Sequence, residues 1–442
     1  MIHLTVPHGL EQYTGAAWGT RDVCQGPVEF LLALEHDDPV KEILRIVFAQ
    51  QYEARGDWPQ WFMLEPYSII QDKVSHGDVI VWPLKALNDY IEATGDIGFL
   101  DEKVAWRRED TLEQTARTDS VAEHVKSLLV AVCGRFIPGT HLIRYGEGDW
   151  NDSLQPVDPR MRDWMVSSWT VALLFEQLNR YAEVLRRAGR EAEGASQLAR
   201  ELKADFNRYL LSDDTVAGYA VFVPDRGSPE LLLHPSDART GLKYSLLPMT
   251  QGIIGGLFTP QQAEHHLRLI REHLLFPDGA RLIDRPVAYS GGPQTMFRRA
   301  ESSAFFGREI GLMYVHAHLR YAEAMAVLGE AEALWDALML ANPIAVTDRL
   351  AQALPRQRNA YFSSSDAAFP DRYAASNEWW RVNTGTVGVE GGWRIYSSGP
   401  GIYAKLIIDH VFGHHRQWGR RTARPLLPQA LQDMTVELDS GG

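Results

Sequence analysis

Residues 144–156, RYGEGDWNDSLQP, gather three carboxylates, Glu147, Asp149 and Asp152, around Trp150 between two glycines and a proline. Glycine and proline so close together argue for a shaped loop rather than a helix. One chemistry that uses such a loop is glycosidic bond cleavage, in which an acid protonates the leaving oxygen while a nucleophile attacks the anomeric carbon. An acid that works near neutral pH needs a raised pKa, and neighbouring negative charge and an apolar ring are two simple ways to raise it. Asp152, with Asp149 and Glu147 near and Trp150 beside it, has both. The indole also offers a face on which a sugar can stack. The plainer reading of the same residues is an acidic surface loop whose aspartates cap turns. A calcium loop fits poorly, because Leu154 stands where an EF-hand needs glycine.

Three other segments carry groups that could join such a site. In GAAWGTRDVCQGP, residues 15–27, Arg21 and Asp22 lie between glycines. Such a pair is most often structural, but in a sugar site the carboxylate takes two hydroxyl donors while the guanidinium holds it. In FFGREIGLMYVHAHLRYAEAM, Glu309 and His316 are seven residues apart. On one continuous helix they would face the same way, whereas His316 and His318 would not. A lone histidine on a helix is more often a core residue than a ligand. In YSSGPG, Ser397, Ser398 and Gly399 lead into a helix and offer N–H donors and a favourable dipole to an anion. No Walker lysine accompanies them, so this is not a nucleotide loop. Tryptophans 58, 61, 82, 150, 379, 380 and 393 thread the loops and suit carbohydrate stacking better than core packing, though some are expected in the core. The clustered histidines at 265, 266, 273, 410, 414 and 415 lack carboxylates at ligand spacing and are expected at the surface.

The elements that must position these groups are helices. Apolar residues recur at i, i+3, i+4, i+7 in VKEILRIVFAQQYEA, DVIVWPLKALNDYIEATGD, SVAEHVKSLLVAVCGRF and several later segments, including GREIGLMYVHAHLRYAEAMAVLG. Gly189 and Gly329 end two of them. Long polar, Pro/Gly-rich stretches separate the helices, and loops that long in a compact domain are usually functional. The pattern predicts an all-α chain of helical hairpins wrapped into a closed double ring, with the loops gathered into a site at one end. No fixed-period repeat supports a solenoid. The tail beyond residue 415 turns Pro-rich and then alternates, predicting a short strand-bearing appendage over 416–442.

Composition bounds the class. The 442 residues are 45% hydrophobic and 23% charged with a net charge of −13, which argues against a nucleic-acid or anionic-membrane surface. No apolar run approaches the ~20 residues needed to span a bilayer. The two cysteines, Cys24 and Cys133, suggest neither a disulfide framework nor a zinc knuckle, and with no visible signal peptide the expectation is a cytoplasmic protein without metal or organic cofactor.

GDWND (148–152), TRD (20–22), REIGLMYVHAH and YSSGPG, in their order along the chain, resemble the inverting disaccharide phosphorylases of the cellobiose/chitobiose phosphorylase family. GDWNDSLQP, YFSSSDAAFPDRY and GGWRIYSSGPGIY look most like the branch that acts on 1,2-β-oligoglucans. The resemblance runs over essentially the whole chain and implies an (α/α)6-barrel catalytic domain over 1–415. It implies that Asp152 is the general acid, that Trp150 and Asp149 belong to the sugar site, and that Asp22 holds hydroxyls of the transferred sugar with Arg21 beside it. It also implies a site role for Glu309 and phosphate binding by His316 and the Ser397-Ser398-Gly399 turn. Inorganic phosphate is then the co-substrate, a β-gluco-oligosaccharide the substrate and α-glucose 1-phosphate the product. Family members are often dimers, so a homodimer is expected. They also carry a β-sandwich and helical linker before the barrel, so this chain is expected to hold the barrel alone. An inverting hydrolase on the same barrel and an inactive sugar-binding fragment are the competing readings.

Overall fold

A computed structural model describes residues 17–223, 227–303, 313–342, 346–354, 363–395 and 398–434. The chain divides into two compact units: residues 1–136, 177–199 and 397–442 form one, and residues 137–176 and 200–396 the other.

In the first unit, helix Asp37–Phe48 shows how the local pattern decides the fold. Val40, Ile43, Leu44, Val47 and Phe48 repeat at helical spacing and are buried, while Asp37 and Asp38 sit in the first turn, where the helix dipole favours negative charge. Burying such a side chain contributes about 1.5–3 kcal/mol. The helix stops sooner than the periodicity suggests, because Tyr52 turns away to bridge Arg107. Helix Trp82–Thr94 ends at Gly95, whose φ of 76° completes a left-handed cap. Helix Val121–Cys133 starts where the Ser120 hydroxyl accepts the Glu123 N–H. Strands Lys103–Arg107 and Gln114–Ser120 pair as a hairpin that helical periodicity could not announce.

The tail hairpin, His414–Gln417 with Arg420–Ala423, is present. The division expected at 415/416 falls inside it, and it packs into the first unit. Arg416 binds Asp37 through both terminal guanidinium nitrogens at 2.7–2.8 Å, Arg421 pairs with Glu35, and the Gly419 N–H donates to Ala93 O.

In the second unit, helix Val315–Val327 and helix Ala331–Ala341 form a hairpin across Gly329, φ 76°. Helix Leu246–Ile254 packs on the first of them. A three-stranded antiparallel sheet is ordered Glu230–Leu232, Tyr219–Val221 and Met165–Ser167, the last of which leads directly into helix Ser168–Arg187. Helical spacing runs through residues 163–189, but the short helix Met161–Trp164 gives way to strand Met165–Ser167 before the long helix starts at Ser168.

A polar cluster lies inside this unit. Arg281 and Asp278 pair at 2.7 Å with neither side chain exposed, and the guanidinium lies over the rings of Phe276 and Trp379 at 5.3 and 5.1 Å. Asp366 is buried near them, and desolvation, only partly offset by Arg281, pushes its carboxyl up to about 7. Between about pH 4 and 7 the unfolded chain therefore gives up a proton that the fold retains, and this residue's contribution to stability falls as pH rises through that window. Asp366→Asn removes that loss. Its thermal midpoint, measured by circular dichroism, gains a few degrees on the wild type between pH 4 and 8. A constant difference across that range contradicts the assignment.

Among the described residues, no helix is long and apolar enough to cross a membrane.

Candidate active site

The Gly-Asp-Trp-Asn-Asp loop in the second unit is held at both ends. Tyr145 and Gly146 donate their N–H groups to Met165 O and Arg162 O, at 2.7 and 2.9 Å, and Gly146 takes a φ of 62°. On the other side, the Val157 N–H reaches Met296 O at 2.9 Å, and the Arg298 N–H reaches Gln155 O at 2.8 Å.

Between these anchors the three carboxylates take separate paths. Glu147 is ion-paired with Arg162. Asp149 is 1% exposed. It accepts the Asn151 N–H at 2.8 Å and the Ser167 hydroxyl at 2.7 Å, and the Tyr219 hydroxyl also bonds to it. Burial and the Asp149 charge hold that phenol well above its ordinary pKa. Asp149 is thus a strut that shapes the turn. Asp152 opens a short 3-10 turn, Asp152–Leu154, capped by the Asn151 side chain, and its carboxylate retains 22% exposure. The charge crowding expected of the loop is therefore divided: Arg162 faces one carboxylate, hydroxyl and amide donors surround another, and the third reaches solvent.

Trp150 is 8% exposed and packs edge-on to Tyr314, ring centroids 4.9 Å apart, and to His316 at 5.9 Å. The imidazole of His316 in turn stacks on Tyr314 at 5.3 Å. The structure thus brings Asp149, Trp150, Asp152 and His316 into one neighbourhood of the second unit. Tyr314 has an extended backbone, φ −91° and ψ 117°, and the helix begins only at Val315. The expectation that Glu309 and His316 ride one continuous helix is therefore corrected: the extended backbone at Tyr314 interrupts the path between them. Glu309 itself lies outside the described residues. His318 points elsewhere, as its spacing from His316 requires. Its Nδ1 accepts the Ala280 N–H at 3.0 Å, so Nε2 carries the proton and donates to Ala337 O at 2.8 Å.

In the first unit, Arg21 and Asp22 occupy helix Thr20–Val23, directly after strand Ala17–Gly19. Arg21 donates to Asp78 Oδ1 at 3.0 Å and meets His76 Nδ1 at 2.9 Å. Asp78, wholly buried, also accepts the Trp82 indole N–H at 2.9 Å. Sequence reasoning missed Asp78, which stands 57 residues from Arg21. Its one local signal is the aspartate four residues ahead of a tryptophan at a helix start. Trp58 and Trp82, expected on loops facing sugar, are core residues at 0 and 3% exposure. Ser398 opens helix Ser398–Lys405, Gly399 follows within it, and Ser397 lies outside the described residues. A Cβ on Gly401 would meet Gly26 O at 2.3 Å, so only glycine permits this helix to lie so close to helix Gly26–Ala33.

The helical scaffold that carries this aromatic-lined loop has a glycosidase fold. Two solved glycosidases share that fold. A variant in complex with glucose superposes with a TM-score of 0.53 at 12% identity over 96% of this chain and 92% of its own. A wild-type glycosidase gives 0.51 at 11% identity over 89% of this chain and 87% of its own. These likenesses bear out the (α/α)6 class expected from the sequence. The chain belongs to the glycosyl hydrolase 94 superfamily, whose catalytic-domain description matches residues 65–390. It is 45% identical over all 442 residues to the 1,2-beta-oligoglucan phosphorylase of Listeria innocua serovar 6a, covering 40% of that protein. It is 33% identical over 163 residues, 37% of this chain and 18% of the relative, to the solabiose phosphorylase of Paenibacillus borealis. It is 24% identical over 409 residues, 89% of this chain and 46% of the relative, to the cellobionic acid phosphorylase of Neurospora crassa. The chain spans less than half the length of each of these relatives.

Proposed function

We propose that this chain catalyses the inverting phosphorolysis of β-linked gluco-oligosaccharides, 1,2-β-oligoglucans first among them, and the reverse glucosyl transfer. The observation that carries the reading is the loop itself: Asp149 is buried as a strut and Glu147 is paired with Arg162, while Asp152, at the head of its short turn, keeps 22% of its carboxylate exposed. A hydrolase must deprotonate water and needs a second carboxylate as base. Phosphate is an anion already at neutral pH, so one acid suffices. The family and the name of the 45% identical relative support the same choice.

In this reading the Asp152 carboxyl donates its proton to the glycosidic oxygen. A phosphate oxygen bonds to C1 from the opposite face, and the C1–O pair leaves with the departing sugar. Inversion of a β-glucoside gives α-glucose 1-phosphate. Trp150 supports the sugar and Asp149 shapes the turn that presents the acid. Asp22, with Arg21, takes hydroxyls of the transferred glucose, and Glu309 completes the sugar site. His316 and the turn Ser397-Ser398-Gly399 hold phosphate. Cys24 and Cys133, neither in a disulfide, fit a reducing cytoplasm.

The test is to incubate the protein with α-glucose 1-phosphate and a panel of glucose-based acceptors. Phosphate release with sophorose or longer 1,2-β-glucans is the expected result. Absence of release with every acceptor, alongside glucose release from the glucans without phosphate, overturns the reading in favour of a hydrolase.

The close approach at Gly401 yields a second expectation. Gly401→Ala forces the helix carrying Ser398 and Gly399 away from helix Gly26–Ala33, costing about 1–3 kcal/mol as overpacking. The KM for phosphate rises more than the KM for oligosaccharide. Equal changes in both detach this helix from phosphate binding.

A further inference from the structure

A carboxylate with no exposed surface stands behind the Arg21–Asp22 turn of the first unit. Asp78 accepts the Arg21 Nη2 donor on Oδ1 at 3.0 Å and the Trp82 indole N–H on Oδ2 at 2.9 Å. Its side chain is 0% exposed, against 8% for that of Arg21. We infer that Asp78 is a positioning residue for the transferred glucose: it fixes the angle of the Arg21 guanidinium and, through it, the hydroxyl contacts made at the Arg21–Asp22 turn. The role deepens the proposed function and rests on it.

A buried ion pair calls for a reason other than stability. The desolvation of a carboxylate and a guanidinium largely offsets their attraction, and apolar residues of similar volume often serve a fold as well. What such a pair does supply is direction, since a guanidinium bonded along one edge presents its other N–H groups along fixed lines. Nη2 carries two hydrogens. One goes to Asp78 and the other to His76 Nδ1 at 2.9 Å. Because arginine only donates, that imidazole nitrogen is the acceptor and the ring proton sits on Nε2. Nη2 is thus taken up by the scaffold, and contacts of Arg21 with Asp22 or with a sugar fall to Nη1 and Nε.

Both anchors are themselves held. Asp78 leads into the 3-10 turn Val79–Val81 and helix Trp82–Thr94. The Val81 N–H returns to Asp78 O at 2.9 Å, so backbone and indole both fix the residue. The Gln60 side chain accepts the His76 N–H at 2.9 Å, and the Gln60 carbonyl accepts the Thr20 N–H at 3.1 Å. One residue therefore ties His76 to the neighbour of Arg21. The buried Thr20 hydroxyl adds a bond to Pro59 O at 2.7 Å. Asp22, beside this frame, is part-exposed. Arg21 has interactions besides these, so loss of Asp78 tilts the guanidinium and does not release it. Asp78 has no surface to offer a sugar, and its effect on the reaction runs through Arg21.

The experiment uses the full chain in the reverse reaction, where α-glucose 1-phosphate brings the transferred glucose and sophorose is the acceptor. Wild type, Asp78→Asn, Trp82→Phe, Arg21→Gln and the double variant Asp78→Asn/Arg21→Gln are compared. Asp78→Asn raises the KM for α-glucose 1-phosphate about tenfold, the scale of one weakened charged hydrogen bond, and leaves the KM for sophorose unchanged. The double variant is no worse than Arg21→Gln alone, as holds when one residue acts through the other. Trp82→Phe keeps both charges but lets the carboxylate turn. It shifts the same KM by about threefold and carries the test if Asp78→Asn does not fold. A lowered kcat with both KM values unchanged is the mark of a merely structural role and overturns the inference. Equal rises in both KM values, or additive losses in the double variant, overturn it as well.

Calorimetric binding of α-glucose 1-phosphate without acceptor separates the two levels. A Kd that rises in Asp78→Asn, in a protein that releases no phosphate with any acceptor, sustains the positioning and sinks the phosphorolytic function. An active wild type whose Kd and KM stay unmoved in both variants sinks the positioning alone. A wild type that neither binds nor turns over α-glucose 1-phosphate sinks both.

Discussion

Asp152→Asn lowers phosphorolysis of a 1,2-β-glucan by about 10²–10⁴-fold, the range that removal of a general acid produces, and leaves the fold intact. The amide keeps the carboxylate's shape, the turn Asp152–Leu154 is capped by Asn151, and the pair with Arg299 is too exposed to stabilise the protein much. The loss therefore falls on chemistry. It also depends on the leaving group: an aryl glucoside whose phenolate departs without a proton is cleaved by the variant with far less impairment. Steady-state rates on both substrates, with a circular-dichroism melt to check folding, measure this. Near-wild-type turnover of the glucan by the variant rejects Asp152 as the acid.

The largest expected effect on stability comes from Arg372→Met. Arg372 is wholly buried, and the carboxylates that so often accompany a buried arginine do not supply its hydrogen bonds. Nη1 donates to Ala300 O and Ser303 O, Nη2 donates to Val287 O at 2.7 Å, and the guanidinium lies 4.8 Å from the Tyr289 ring centroid. Burial pulls its pKa down to about 10, so it remains charged at neutral pH. Methionine fills the stem but leaves three buried carbonyls without these donors, at about 1–3 kcal/mol each. Relief of the buried charge offsets part of that. The net expectation is a loss of about 3–5 kcal/mol, read in a chain of this length as a thermal midpoint lower by roughly 3–5 °C. Because these bonds hold the helix whose Arg298 N–H donates to Gln155 O beside the Asp152 turn, activity falls more steeply than the folded fraction as temperature rises. A midpoint within about one degree of wild type, which at this length is about 1 kcal/mol or less, contradicts the role given to Arg372.

The comparison of sequence with structure separates local information from tertiary information. Helix Asp37–Phe48 was legible because one face alone is apolar, and the loop at Asp152 because glycine, proline and carboxylates crowd into a few residues. Helix Gly26–Ala33 left no periodic signal, since nearly all its residues are buried and none needs to be polar for solvent's sake. Apolar spacing continues upstream of Tyr314 and predicts a longer helix around His316, whereas the backbone at Tyr314, whose ring packs against Trp150 and His316, is extended. Trp58 was misplaced on a sugar-facing loop for a related reason. Its indole N–H finds Val47 O at 2.8 Å inside the core, and that partner is set by folding rather than by neighbouring residues. The same holds for the groups that arrange the acid. Arg299 and Arg372 reach Asp152 and Ala300 across stretches of chain that no spacing rule spans, and Asp78 reaches Arg21 likewise.

The most direct measurement of the central claim is the fate of a 1,2-β-glucan as phosphate is titrated in, followed by proton and phosphorus NMR. With Asp152 as sole acid and phosphate as attacker, turnover without phosphate is negligible. It then rises to saturation with phosphate, and the first product formed is the α-anomer of glucose 1-phosphate. Glucose released at a rate indifferent to phosphate, or a β-anomer as the initial product, contradicts the account.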